Sequence, residues 1–193
     1  MNVGSLFTHH AQYRRDHLAV VFEGQRLTYC EYNQQINRTA NALLDLGIQK
    51  GDKVATLLPN CLELLEVFWA VAKIGAIVVP MSTLLLESAL VSLLNDSDTV
   101  AVIVDKSFTD IIKSIKDRLP NIPENRYLTI AVEPIPGFQN YHALQSDANV
   151  LEPSAETVEA DDVFNIMYSS GTTGLPKGIV HTHQIRLAYG TSF

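Results

Sequence analysis

The run Ser169-Ser170-Gly171-Thr172-Thr173-Gly174-Leu175-Pro176-Lys177-Gly178 gathers the residue types that grip an anion. Glycine lets backbone N–H groups turn toward a negative charge without a Cβ clash. Ser169, Ser170, Thr172 and Thr173 add hydroxyl donors, and Lys177 adds a compact point charge suited to phosphate. The spacing is not that of a Walker A loop, which needs Gly-Lys-Ser/Thr opening a helix. Here Pro176 precedes the lysine, and Gly178 and a β-like run follow it. The expectation is therefore a phosphate-binding hairpin loop between a strand at Val163 to Tyr168 and an antiparallel one at Ile179 to His181. A bare Gly-Thr-Thr-Gly would read as a Ser/Gly-rich surface turn. The lysine, the proline and the flanking strands together favour the phosphate loop.

Such a loop needs a scaffold, and the chain reads as alternating strands and helices. Leu18 to Phe22 is a short apolar run before a turn at Glu23-Gly24-Gln25. Thr28 and Glu31 have the spacing of a capping box. Behind them Tyr32, Ile36, Ala40, Leu43 and Leu44 recur at helical spacing, and Gly47 suits a helix end. Lys53 to Leu58 predicts a strand. Asn60 is the expected cap of an apolar helix from Cys61 to Ile74. Ala76 to Pro80, Val100 to Asp105 and Tyr127 to Val132 predict further strands. Helices are expected at Leu85 to Leu94 and after Ser107, as its cap, with a stripe of Phe108, Ile111, Ile112, Ile115 and Leu119. Alternation of this kind implies an α/β fold: a layered, mostly parallel sheet flanked by helices.

Three segments follow from this reading: an α/β core over 1–132, an acidic loop-rich connection over 133–162 with one short helix near Tyr141 to Gln145, and a strand, loop, strand and helix start over 163–193. The connection lies within an unusual stretch. Tyr127 to Pro176 holds no Lys or Arg and seven acids, which carry the whole net charge of 14 − 21 = −7. That balance disfavours a nucleic-acid partner. Apolar residues at 47% and charged residues at 18% exclude a disordered chain. A compact chain of this length buries about 70% of its unfolded surface, so it needs no disulfide or metal staple. No secretory leader is legible, and the greasiest segment, Cys61 to Ile74, is interrupted by Glu63, Glu66 and Lys73, too charged to be a transmembrane segment. A cytoplasmic protein is the expectation.

Other reactive residues read as structural. His181 and His183 are two apart, a spacing that on a strand would put them on one face, whereas Thr182 is the expected cap of a closing helix after the strand. With no third ligand in view, no metal site is assigned. Cys30 and Cys61 read as buried small apolar groups rather than nucleophiles. Trp69 reads as core, Glu63 and Glu66 as a solvated helix edge, and His9-His10 as part of a solvated N-terminal helix.

The segment from Tyr168 to Gly178, followed by Thr182-His183, resembles the signature of the adenylate-forming (AMP-dependent) enzymes: acyl-CoA synthetases, adenylation domains of peptide synthetases, and luciferases. Leu27-Thr28-Tyr29, Gly47 to Ala55, Leu58-Pro59-Asn60 and Ala72-Lys73-Ile74-Gly75-Ala76 to Val79-Pro80 fit the same family in order and spacing, so the resemblance covers the whole chain. Leu58-Pro59-Asn60 looks more like the CoA ligases than the peptide synthetases. Ser169 stands where the family more often has Thr, which keeps the hydroxyl.

The resemblance implies a part of the large N-terminal domain of an acyl-CoA synthetase that activates a carboxylic acid with ATP and Mg²⁺. The acyl-adenylate would then pass to the thiol of CoA. It assigns ATP phosphate binding to Ser169, Ser170, Gly171, Thr172, Thr173, Gly174 and Lys177. Family members later supply an aromatic-Gly-x-Thr-Glu motif, a ribose-binding Asp and a C-terminal domain with a catalytic lysine. These lie beyond Phe193, so an N-terminal fragment, inactive alone and open to self-association, is expected. The alternatives are a non-catalytic ATP-binding or interaction module and a peptide-synthetase adenylation domain. Fatty, carnitine-like and aryl acids are all compatible substrates.

Overall fold

In a computed structural model, which describes residues 2–169 and 176–191, the chain opens with α1 (Val3–Tyr13) and a hairpin of β1 (Leu18–Phe22) and β2 (Gln25–Thr28). Glu23 and Gly24 both take positive φ, 46° and 84°. That two-residue turn matches the twist of the strands it joins. Thr28 caps α2 (Tyr29–Asp45) through the expected box. Its Oγ1 accepts from the Glu31 N–H at 3.3 Å, and Glu31 Oε2 accepts from the Thr28 N–H at 2.9 Å.

The layered core then follows: β3 (Lys53–Leu57), α3 (Leu62–Ile74), β4 (Ile77–Pro80), α4 (Glu87–Asp96), β5 (Thr99–Val104), α5 (Thr109–Ile115), β6 (Tyr127–Thr129), β7 (Gln139–Asn140), α6 (Tyr141–Asp147), β8 (Val163–Ser169), β9 (Lys177–Thr182) and α7 (His183–Thr191). Seven strands form one sheet in the order β7-β6-β5-β3-β4-β8-β9. All neighbours are parallel except β8 and β9, which are antiparallel. The expected α/β layered sheet is therefore present.

Period-two alternation sends side chains to two cores. Val54, Val78, Ala101 and Ile103 face α1, α2 and α3, while Ala55, Val79, Val102 and Val104 face α4 and α5. In β8 the alternation slips. Phe164 joins the first core, yet Ile166 and Tyr168, of the same parity, join the second. The register irregularity between Val163 and Asn165 is the cause, since an extra residue turns the strand over.

Several boundaries differ from the sequence reading. Cys61, not Asn60, precedes α3, with no side-chain cap. The helix that follows β5 is broken into pieces. The Asp105 carboxylate takes the Ser107 N–H at 2.9 Å and its hydroxyl at 2.6 Å, which holds Lys106–Phe108 in a 3₁₀ turn, so Asp105 rather than Ser107 is the cap. The helix expected at Leu85 to Leu94 starts and ends two residues later. β6 stops at Thr129, where its hydroxyl accepts the Ala131 N–H and leaves Val132 exposed. The N-terminal helix is not solvated all round, because Val3, Gly4 and Phe7 are buried.

Gly4 marks a close crossing of α1 over α3. A Cβ there would stand 2.8 Å from the Lys73 backbone N and 2.9 Å from the Ala72 carbonyl. Backbone cannot yield as a side chain does. Gly4→Ala is expected to cost about 1–3 kcal/mol through overpacking, despite the better helix propensity of alanine. Urea unfolding checks this, and a neutral or stabilising result would mean that α1 re-seats freely.

Candidate functional site: the mouth of the β8–β9 loop

β8 runs parallel to β4, so its last residue reaches the carboxyl edge of the sheet, beside the end of β4. In open α/β sheets ligands bind outside that edge. Ser169 at the end of β8 pairs in register with Lys177 at the start of β9. Both are exposed. A hydroxyl and an ammonium-bearing residue thus flank the mouth of the connection. Ser170, Gly171, Thr172, Thr173 and Gly174, the other residues expected to bind phosphate, lie outside the described residues.

Two features brace the mouth, and sequence reasoning missed both. Tyr168 donates its hydroxyl to the Asp96 carboxylate at 2.6 Å, tying β8 to the last turn of α4. Burial and that acidic partner raise the phenol well above its ordinary pKa, so it stays a donor. Gly178 passes close to the Tyr168 ring, and a Cβ there would lie 3.2 Å from Ile166 Cγ2 and from Tyr168 Cε1. Beside the mouth is a cleft of about 300 Å³ lined by Pro80, Met81, Ser82, Leu85, Leu93, Tyr168, Ser169 and Pro176.

The histidines do not form a pair on one strand face. His183 begins α7 and is fully buried. Its Nδ1 accepts the Val3 N–H at 3.1 Å, so it terminates the start of α1. Burial lowers the pKa of both His181 and His183, which keeps the rings neutral. Among the described residues no group of three or more His, Cys, Asp or Glu is placed to hold a metal ion. Cys30 and Cys61 are free and half-buried. Burial pushes the Cys61 thiol up to about 11, which leaves little thiolate at neutral pH. Trp69 packs at the margin of the first core.

Glu66 is the clear departure among the acids. It is 5% exposed, not part of a solvated edge. The Tyr141 hydroxyl and the Gln145 amide both donate to its Oε2 at 2.9 Å. Thr39 closes the network, 2.8 Å from the Tyr141 hydroxyl. Glu63 and His142 also face it. The signal available in sequence was Glu66 standing one residue before Val67 in an apolar helix, and periodicity alone did not separate it from Glu63.

Burial raises the Glu66 pKa in spite of the two donated hydrogen bonds. The folded protein then holds that proton more tightly than the unfolded chain. The resulting stability is fully present below the ordinary carboxyl range and is lost as pH rises through the folded pKa. Glu66→Gln keeps an acceptor oxygen and cannot ionise. Its stability relative to the parent chain is expected to climb as pH rises above the ordinary carboxyl range toward the raised folded pKa. Parallel urea midpoints across that range would refute this.

Comparison with known proteins bears on this geometry. Residues 7–193 match the family described as AMP-binding enzyme. The chain belongs to that family. It is 34% identical over 176 residues to the crotonobetaine/carnitine–CoA ligase of Salmonella agona (strain SL483), covering 87% of this chain and 34% of the relative. Among solved structures, the inhibitor-bound N-terminal domain of FACL13 from Mycobacterium tuberculosis superposes with a TM-score of 0.84 at 34% identity, over 94% of this chain and 44% of that one. An anthranilate CoA ligase, AuaEII, in complex with anthranoyl-AMP, superposes at 0.89 with 28% identity, over 95% of this chain and 35% of that one. The chain spans about a third of the length of the curated relatives it matches. Its relatives are acyl-CoA ligases, and no helix among its described residues is long and apolar enough to cross a membrane.

Proposed function

We propose that residues 1–193 are the N-terminal portion of the AMP-binding domain of a cytoplasmic, AMP-forming acid–CoA ligase, and that the Ser169–Lys177 loop holds the phosphates of ATP. The three segments 1–132, 133–162 and 163–193 serve as core, connection and phosphate-loop unit. The observation that carries the reading is the Ser169–Lys177 register at the carboxyl edge of the sheet, within a chain that matches the family from residue 7 onward. A carboxylate is a poor acyl donor, and a mixed anhydride with AMP is a good one. The carboxylate oxygen attacks the α-phosphorus, the bond to the bridging oxygen of pyrophosphate breaks, and the CoA thiol then displaces AMP. Ser169, Ser170, Thr172 and Thr173 donate to the β- and γ-phosphates, Gly171 and Gly174 permit the turn, and Lys177 offsets charge gathering on the leaving group. Mg²⁺ enters with ATP and reduces its repulsion by the acidic segment before the loop.

The groups that hold ribose, acyl carboxylate and CoA are assigned to the longer protein. The 193-residue chain alone is therefore expected to bind ATP weakly and to make no adenylate, since positioning can be worth roughly 7–11 kcal/mol of a barrier. The test is ATP-dependent pyrophosphate release by this chain and by the longer protein read in frame past Phe193. Both are offered fatty, betaine-type and aryl acids. Acid-dependent release from the longer protein alone supports the proposal. Release from the 193-residue chain overturns its inactivity. Silence of the longer protein with every acid, while ATP still binds, favours a non-catalytic nucleotide-binding module.

A further inference from the structure

The seven-stranded sheet ends differently at its two margins. At one, β7 is two polar residues, Gln139 and Asn140, shortly after Pro136-Gly137. Short polar edges discourage pairing between molecules. At the other margin β9 runs for six residues, Lys177–Thr182, with no proline and a single charge at its first position. Ile179 is 45% and Val180 50% exposed. As consecutive strand residues they point to opposite faces, so both sides of this edge are apolar at its centre. Among the described residues β8 is the sole sheet neighbour of β9. Among the described residues no strand pairs with its outer N–H and C=O groups, which leaves an open ladder.

We propose that this chain pairs with a second copy of itself, β9 against β9, antiparallel about a twofold axis, so that two seven-stranded sheets become one. The charges at the strand ends select that partner and direction. Thr182 pairs with Val163, which Asp161 and Asp162 directly precede. Asp162 is held by Lys50 at 2.7 Å, and Asp161 is exposed. Antiparallel pairing brings Lys177 of each copy beside Thr182 of the other, with Asp161 of that copy one strand further in, about 10 Å away, an attraction made twice. In-register parallel pairing would set Lys177 beside Lys177. A twofold interface needs one self-complementary patch, and this edge supplies it. The inference does not rest on the loop binding ATP.

Sedimentation velocity of the 193-residue chain over a concentration series tests the proposal, at low and at high salt. A concentration-dependent dimer, weaker in salt, is expected. Ile179→Lys combined with Val180→Lys should weaken it by roughly tenfold or more, because like charges then meet at the axis. Both positions are half-exposed, and circular dichroism verifies that the variant folds. Asp161→Lys and Lys177→Glu should each weaken the dimer, and the two together should restore it. Leu65→Lys, on the exposed face of α3, should leave it intact. A chain monomeric at every concentration overturns the proposal. So does a dimer that survives the two strand lysines but is lost with Leu65→Lys, and so does a charge swap that fails to restore.

Discussion

Replacing Lys177 with Ala in the proposed longer ligase is expected to lower acid-dependent pyrophosphate release by on the order of 10²- to 10³-fold, the scale set by loss of one donor to developing transition-state charge. Thr172→Ala should show the smaller part of the effect, since a neutral donor is weaker than a charged one. The loss should fall on kcat more than on KM for ATP. Charge on the β- and γ-phosphates grows as the bond to the α-phosphorus breaks, so in the proposed role Lys177 would contribute more in the transition state than in the bound ground state. Lys177→Arg should recover little of the rate. Its planar fork is larger than an ammonium and lacks that compact charge. Lys177 begins β9 outside the two cores, so its variant should unfold at the same urea concentration as the parent. A ligase whose turnover survives loss of both side chains would show that the phosphates are held elsewhere.

The fold was legible wherever one residue pattern answered to one physical demand. The capping box at Thr28 and Glu31, the strand alternation in Lys53 to Val104 and the hairpin after Val163 are local demands, met by neighbouring residues. What escaped the sequence depends on partners far along the chain. Tyr168 reaches Asp96 across 72 positions, and Glu66 is buried because Tyr141, 75 positions later, covers it. No periodicity reports such pairs. The start of the closing helix was a local demand too, met by the expected cap at Thr182. The strand continues only to Thr182, whose hydroxyl accepts the Ile185 N–H at 3.3 Å and starts a helix one residue earlier than a common strand face for both histidines requires. At the site, composition nominates the loop residues as phosphate binders, and that assignment is a proposal. The strand register shows only how Ser169 and Lys177 come to stand opposite one another.

The acidic connection holds a second large expected effect. Lys73 on α3 has a side chain only 3% exposed. Its ammonium donates to Asn33 Oδ1 at 2.8 Å, Asn37 Oδ1 at 2.7 Å and Glu152 Oε2 at 2.7 Å. Glu152 comes from the connection, 119 residues after Asn33, and also accepts from Asn33, Asn37 and Thr8. Burial draws the Lys73 ammonium below its usual pKa even with Glu152 beside it. The same burial pushes Glu152 up, but hydrogen bonds from Asn33, Lys73 and Asn37 outweigh it and hold the carboxyl below its usual range. Glu152→Ala leaves a buried cation with two amide oxygens and no counter-charge. Because the Glu152 side chain is 47% exposed, water screens part of the loss, and the expected cost is about 1–2 kcal/mol, or roughly 2–8 °C in Tm for a chain of this size. Because the folded pKa of Glu152 is depressed, its contribution is present above the ordinary carboxyl range and is lost as pH falls through the folded value. The parent should therefore approach the variant in acid. Lys73→Met added to Glu152→Ala removes the stranded charge and should recover much of the loss, since an apolar side chain of similar length can refill the site. Urea unfolding of the four proteins in this cycle decides the matter. A Glu152→Ala chain as stable as its parent at neutral pH, or a double variant no better than the single, would mean that Lys73 finds water or another acid when Glu152 is gone.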